Sequence, residues 1–489
     1  MTQPHARPAT SVSGTADDSW IGDASAFELG SAIGDGRVSS RRVVEFHIDI
    51  LRARSDFGAM ARDRFDVALA EADAVDAGPK SADRPLLGVP CTIKESIPVA
   101  GMPHTAGLSS RIGVIADSDA LAVQRLRDAG AIIVGVTNTA ELCLGIESTN
   151  RVYGRTSNPY DKNRVSGGSS GGEGCAIGAG GIPFGLGGDT GGSIRIPSFY
   201  CGVFGHKPSP GLVPANESIP SLARGDEVDL LETLGPMARR GSDLMPLLQV
   251  LAADPDGRRC GTVESVALEG LRVVIPTKSS YLRPMDRSVR DARDAAGRAL
   301  ADRGADVVWQ PLPAMRTVIA SYLMELRRHA GTSVMSLFDS FGDRPRHRTP
   351  ALLRANSVQL QLAMIGDRLP ELLPGPARSL IDRYARELAE EVAAAIGEGG
   401  VMLHPPPPQP APLHNRTLAR PWLFGGAAVF NMLGMAVTQV PIGFSPRNLP
   451  VGVQVASQPG NDHVTIAVAL ELEKAFGGWV PPHAVAARQ

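Results

Sequence analysis

Three residues of this chain have types and settings that suit one chemistry: Ser169 in GGSSGGEG (167–174), Ser193 in GGDTGGSIRIP (187–197) and Lys94 in GVPCTIKES (88–96). Glycine lets the backbone approach a substrate closely and take φ > 0, so successive amide N–H groups can converge on one small anion. A serine hydroxyl becomes a nucleophile when a neighbouring base takes its proton, and a lysine is such a base only when uncharged. Bringing a free lysine from about 10.4 to about 7 takes roughly 4 kcal/mol of disfavoured charge, an effect of the size that burial supplies. The apolar flank Val89, Cys91 and Ile93 is consistent with burial of Lys94. A Ser/Ser/Lys hydrolase is the reading that uses all three residues.

Each piece alone has other readings. Residues 167–171 formally match GxSxG, the nucleophile elbow of α/β-hydrolases, and His206, His329, His404 and His463 lie downstream as that chemistry would need. The match is embedded in glycines, however, and does not follow an obvious strand. A phosphate-binding loop is also weak, because the segment holds no GxxxxGK[ST] and no GxGxxG that opens a helix. The plain structural alternatives are a glycine-rich turn before a close-packed helix over 171–181, and a solvated lysine at a strand end. No HExxH and no cluster of His, Cys and Asp occurs, so neither a metal nor an organic cofactor is expected.

Composition narrows the partners. Lys plus Arg total 49 and Asp plus Glu total 51 in 489 residues, a formal charge of −2, so nothing global attracts nucleic acid or anionic lipid. A small-molecule substrate is expected, and a homodimer is left open. Cys91, Cys143, Cys175, Cys201 and Cys260 form no CxxC pair, which suits reduced, mostly buried thiols and a cytoplasmic protein. Residues 1–24 lack the apolar core of a secretory signal and read as a disordered tail. The apolar run 424–444 is interrupted by Asn431, Thr438, Gln439 and Pro441, so it reads as a buried helix followed by a strand and not as a transmembrane segment.

The elements that must position the three residues follow from periodicity. Val44, Ile48 and Leu51 recur at helical spacing behind Ser39 and Ser40, and Phe65, Leu69, Ala72 and Val75 end at Gly78. A helix over 119–129 leads to a strand over 131–136, and further strands are predicted at 182–186, 271–275, 307–309 and 451–455. Strands separated by helical stretches predict an α/β fold with a parallel or mixed sheet covered by helices. Residues 312–398 read as a helical insert containing the stripe Val318, Tyr322 and Leu326, apolar enough to line a lipid-like channel though such stripes are more often ordinary core. The run HPPPPQPAP (404–412) reads as a stiff surface connection, and 25–489 as one domain.

Taken together, GVPCTIKES, GGSSGGEG, GGDTGGSIRIP, GVFGHKPSPG (202–211) and YGRTSNPYD (153–161) resemble the amidase signature family. The closing segment 449–480 is similar to its fatty-acid amide hydrolase branch, the second form in particular. The resemblance implies the amidase-signature fold, a mixed β-sheet covered on both faces by α-helices, with the helical insert shaping the acyl pocket. It implies Ser193 as nucleophile, Ser169 as the cis-peptide serine that relays a proton, and Lys94 as base. Ser170 would help orient the lysine, and the N–H groups of Thr190, Gly191, Gly192 and Ser193 would form the oxyanion hole. Asp189 and Arg195 also fall at family positions, in a direct or a salt-bridge role. The expected activity is serine amidohydrolysis of a carboxylic amide, fatty or aryl in its acyl part, without cofactor. The alternatives are a glutamine-hydrolysing amidotransferase subunit and, less favoured, a noncatalytic binding protein.

Overall fold

The computed structural model describes residues 18–80, 83–221, 231–277, 284–330, 334, 336, 338, 372–418, 420 and 422–486. Eleven strands form one mixed sheet. Across it they run in the order Met60–Asp63, Ile132–Thr137, Pro90–Lys94, Phe184–Asp189, Thr233–Ala238, Phe204–Lys207, Ala436–Phe444, Pro450–Ser457, Val401–His404, Arg272–Pro276 and Asp306–Gln310. The Pro90–Lys94 strand lies parallel to both its neighbours, with Lys94 opposite Thr137 and Ile93 opposite Leu186. Antiparallel pairs join the middle strands, from Phe184–Asp189 with Thr233–Ala238 through to Pro450–Ser457 with Val401–His404. Parallel pairing returns at the Arg272–Pro276 and Asp306–Gln310 edge.

Both faces of this sheet are covered, and the strands themselves show it. Successive strand residues point to opposite faces. Val273, Ile275, Val401, Leu403, Val453 and Val455 belong to one hydrophobic core, while Val274, Met402 and Ala456 between and beside them belong to another. A strand buried on both faces is largely apolar, which is why these runs show no regular alternation of apolar and polar residues; Gln454, between Val453 and Val455, is the buried polar exception.

The helices start and stop where local chemistry dictates. Ser39 caps Ser40–Ala53 by accepting from the Arg42 N–H at 3.0 Å, and Val43, Val44, Ile48 and Leu51 are its buried stripe. Ser25 and Glu28 form a reciprocal capping box at Ala26–Gly34. Phe65–Ala77 ends at Gly78 as the sequence predicts. The apolar run divides into the helix Trp422–Met432 and the strand Ala436–Phe444, both largely buried. Among the described residues no helix is long and apolar enough to cross a membrane.

Two expectations differ from the structure. Order begins inside the tail expected over 1–24: Ser19–Asp23 is helical, with Ile21 fully buried and Asp18 bonded to the Arg42 guanidinium; residues 1–17 lie outside the described chain. The proline run is not a surface connection, since 404–408 are buried. Proline brings no N–H that needs a partner, so this stretch enters the interior with only carbonyls to satisfy; Pro408 accepts from the Asp286 N–H at 2.8 Å and Pro412 from that of Val165 at 3.0 Å. Of the insert predicted over 312–398, Val318–Ala330 and Gly375–Ile396 are described and helical, and most of 331–371 lies outside the described residues.

Candidate active site

The Pro90–Lys94 strand is buried along its whole length, so its last residue enters the site from the interior, with Lys94 only 2% exposed. Its Nζ donates to Ser169 Oγ at 2.8 Å and reaches the Gly188 carbonyl at 3.5 Å. This partnership replaces the nucleophile-elbow reading, in which Ser169 would have met a histidine. His206 instead pairs with Asp462 at 3.0 Å, in a buried cluster with Thr438 and Ser209.

Ser169 sits in a turn held from several sides. The Gly168–Ser169 peptide is cis. The Ser169 carbonyl accepts from Ser148 Oγ at 2.8 Å, from Thr139 Oγ1 at 3.0 Å and from the Ala140 N–H at 3.3 Å. Glycine is required on both sides of it. A Cβ on Gly168 would stand 2.5 Å from the Gly145 carbonyl oxygen, and one on Gly172 would stand 2.5 Å from the Asn138 amide nitrogen. The helix Gly171–Gly178 that follows is buried at every position, because residues this small let it lie directly on the sheet.

Ser170 Oγ donates to the Gly188 carbonyl at 3.2 Å and accepts from the Gly188 N–H at 3.4 Å, so it meets the lysine through that residue and not directly. The Ser170 N–H donates to the Ser193 carbonyl at 3.2 Å, which ties the two serine turns together. Ser193 itself is half-buried, and its hydroxyl makes no hydrogen bond among the described residues.

The turn 189–195 is organised by Asp189. Its carboxylate accepts from the N–H groups of Gly192 at 2.7 Å and Ile194 at 3.0 Å, at the head of the helix Arg195–Cys201. The Arg195 guanidinium grips it bidentately at 3.0 and 2.9 Å, with both side chains fully buried. Burial alone would push Asp189 up, but Arg195 and the Asn431 amide outweigh it and hold the carboxyl below the usual range. Asp189 and Arg195 are thus the internal frame of the turn. Of the four N–H groups expected to form the oxyanion hole, that of Gly192 donates to Asp189. Those of Thr190, Gly191 and Ser193 have no partner among the described residues. Gly192 is needed for its backbone, since it has φ +118° and a Cβ there would lie 2.5 Å from the Ala427 Cβ.

Several residues of the site went unread in the sequence. Arg195 also donates to the Ala427 carbonyl and to Gln454 Oε1, each at 2.9 Å, and to Asn431 Oδ1 at 2.5 Å. Asn431 Nδ2 returns a bond to Asp189 at 2.9 Å. Tyr322 donates to the Thr190 carbonyl at 3.0 Å and packs edge-on against Phe424, with ring centroids 5.8 Å apart. The signal for Asn431 was there, an amide in an otherwise apolar helix. That for Tyr322 was a single hydroxyl in an apolar stripe. Among the described residues no group of three His, Cys, Asp or Glu side chains is arranged to hold a metal.

Residues 42–466 match the family model described as Amidase. Fatty-acid amide hydrolase 2-B of Danio rerio is 38% identical over 490 residues, spanning 94% of this chain and 91% of its own length. Fatty-acid amide hydrolase 2 of Homo sapiens is 37% identical over 481 residues, spanning 94% and 90%. A crystal structure of an amidase superposes with a TM-score of 0.78 at 27% identity, over 93% of this chain and 100% of that one.

Proposed function

Because the chain belongs to the amidase family, hydrolases that act on amides, we propose that it cleaves a carboxylic amide through an acyl-enzyme on Ser193. Ser169 is the proton relay and Lys94 the base. The observation that carries this assignment is the 2.8 Å contact between Lys94 Nζ and Ser169 Oγ, deep in the protein and beside the turn that bears Ser193.

The steps follow from the groups present. Ser193 Oγ attacks the amide carbonyl carbon as its proton passes to Ser169 Oγ and the Ser169 proton passes to an uncharged Lys94. The 2.8 Å contact then runs in the opposite sense, with the serine hydroxyl as donor. The Ser193–Ser169 contact is assigned to the substrate-bound state, since catalytic hydrogen bonds often close only around substrate. The tetrahedral oxyanion is received by the N–H groups of Thr190, Gly191 and Ser193, each worth about 3 kcal/mol in a preorganised site. The relay reverses to protonate the departing nitrogen, which leaves as amine or ammonia. Water then adds to the acyl carbon and the acid departs, freeing Ser193.

The relatives' names point to fatty-acyl amides as the substrate class. The ring pair Tyr322 and Phe424 beside the turn is apolar enough to border such a chain. Unpaired Cys91, Cys143, Cys175, Cys201 and Cys260 suit a reducing compartment, the cytoplasm. A fluorophosphonate probe should label Ser193, and turnover of amides graded from acetamide to oleamide should rise with acyl length. Labelling elsewhere with Ser193 untouched would overturn the assignment, and a preference for acetamide would overturn the substrate class.

A further inference from the structure

The glycine motif that holds Ser169 and Ser170 also carries Glu173, which the proposed reaction leaves unused. Glu173 is fully buried and is the third residue of the helix Gly171–Gly178. Its carboxylate lies across three strands. Thr92 Oγ1 donates to Oε2 at 2.6 Å and Thr137 Oγ1 to Oε1 at 2.8 Å, while a Cβ on Gly185 would stand only 1.9 Å from Oε2. Gly185 pairs with Thr92 and Thr137 pairs with Lys94 in the sheet. Thr92 and Lys94 are two apart on one strand, so their side chains leave the same face. The acid therefore shares that face with the proposed base.

A glutamine or an aliphatic side chain could pack this space, whereas a buried carboxylate is costly unless its charge or its proton is used. Burial pushes Glu173 up to about 7, against the pull of Thr92, Thr137 and the Lys94 charge. Among the described residues, Cys91, Glu95 and Glu232 are ionisable groups near the pair. Cys91, on the same strand, has its thiol pushed up by burial and by Glu173. The Glu95 carboxylate turns away to Thr105, Ala106 and Tyr153. Glu232 Oε1 and Lys94 Nζ lie 3.7 and 3.6 Å from where a Cβ on Gly188 would stand.

We infer that Glu173 is a positioning residue for the proposed base: its bonds to Thr92 and Thr137 tie the serine-bearing turn to the strand of Lys94 and place a carboxylate where its charge acts on that amine. The inference rests on the reading of Lys94 as base. A carboxylate beside an amine favours the protonated amine, so removing that charge extends activity to lower pH.

The test is kcat/KM against pH for wild type, Glu173→Gln, Glu173→Asp, Thr92→Val and Lys94→Ala on one short amide. The acidic limb should move about one pH unit lower in Glu173→Gln and return toward wild type in Glu173→Asp. It should also move lower, by less, in Thr92→Val, which takes one donor from the carboxylate. Thr92→Val decides the matter should Glu173→Gln fail to fold. An unmoved limb with Lys94→Ala inactive, even if kcat drops, overturns the inference and leaves the base assignment standing. Activity retained in Lys94→Ala would remove the base assignment and this inference with it.

Discussion

Ser170 and Lys94 share one acceptor, the Gly188 carbonyl, at 3.2 and 3.5 Å. The second serine thus acts on the carbonyl that steadies the amine, and it leaves the amine's contact with Ser169 alone. Ser170→Ala should lower kcat/KM about tenfold, the worth of roughly one hydrogen bond, with KM little changed in steady-state kinetics. A loss as deep as that of Lys94→Ala would mean that Ser170 handles the proton itself.

Asn431→Ala takes a partner from both Asp189 and Arg195, in a buried cluster of these three side chains. Each buried group left short costs about 1–3 kcal/mol. Urea unfolding should show a midpoint lowered accordingly. The rate should fall as well, because Asp189 fixes the turn through the Gly192 and Ile194 amides.

Tyr322→Phe removes the hydroxyl that holds the Thr190 carbonyl. The expected loss in kcat/KM is about fivefold, roughly 1 kcal/mol, and equal for acetamide and long-chain amides, because the bond is to the turn and not to the acyl chain. A loss confined to long chains would make Tyr322 a wall of the acyl pocket instead.

His47 provides a pH test of stability. Burial, then the nearby Arg239 charge, hold it down at about 3; Nδ1 bonds the Val43 carbonyl at 2.8 Å and Nε2 has no partner among the described residues. An unfolded histidine titrates near 6.5, so below that pH the unfolded chain binds the extra proton. Stability is therefore complete above about 6.5 and drains as pH falls toward 3. His404, also held at about 3 by burial and Arg293, acts in the same sense. Chemical denaturation at pH 7 and pH 5 should show the loss, and His47→Leu should reduce the difference.

Much of this architecture was legible because glycine and periodicity report backbone facts. The helix after Ser39, the strand over 131–136 and the division of 424–444 all follow from local spacing. Ser169 and Ser193 stood out because glycine crowds around serines in few settings. What stayed hidden depends on contacts far along the chain: Arg195 meets Gln454 across 259 positions, and no local pattern announces that pairing. Which backbone amides a side chain has taken is hidden in the same way: the Gly192 N–H, one of the four the family resemblance implies, donates to Asp189. The proline run misled because its abundance suggested solvent, when its missing donors are what let it lie inside.

The Arg195 guanidinium reaches Ala427, Asn431 and Gln454, all supplied by the final part of the chain. A polypeptide halted on the ribosome before those residues emerge carries both serines and the lysine yet lacks the clamp that shapes their loop. The loop that bears Ser193 therefore takes its final shape only once chain 232 to 259 positions beyond Arg195 has folded against it.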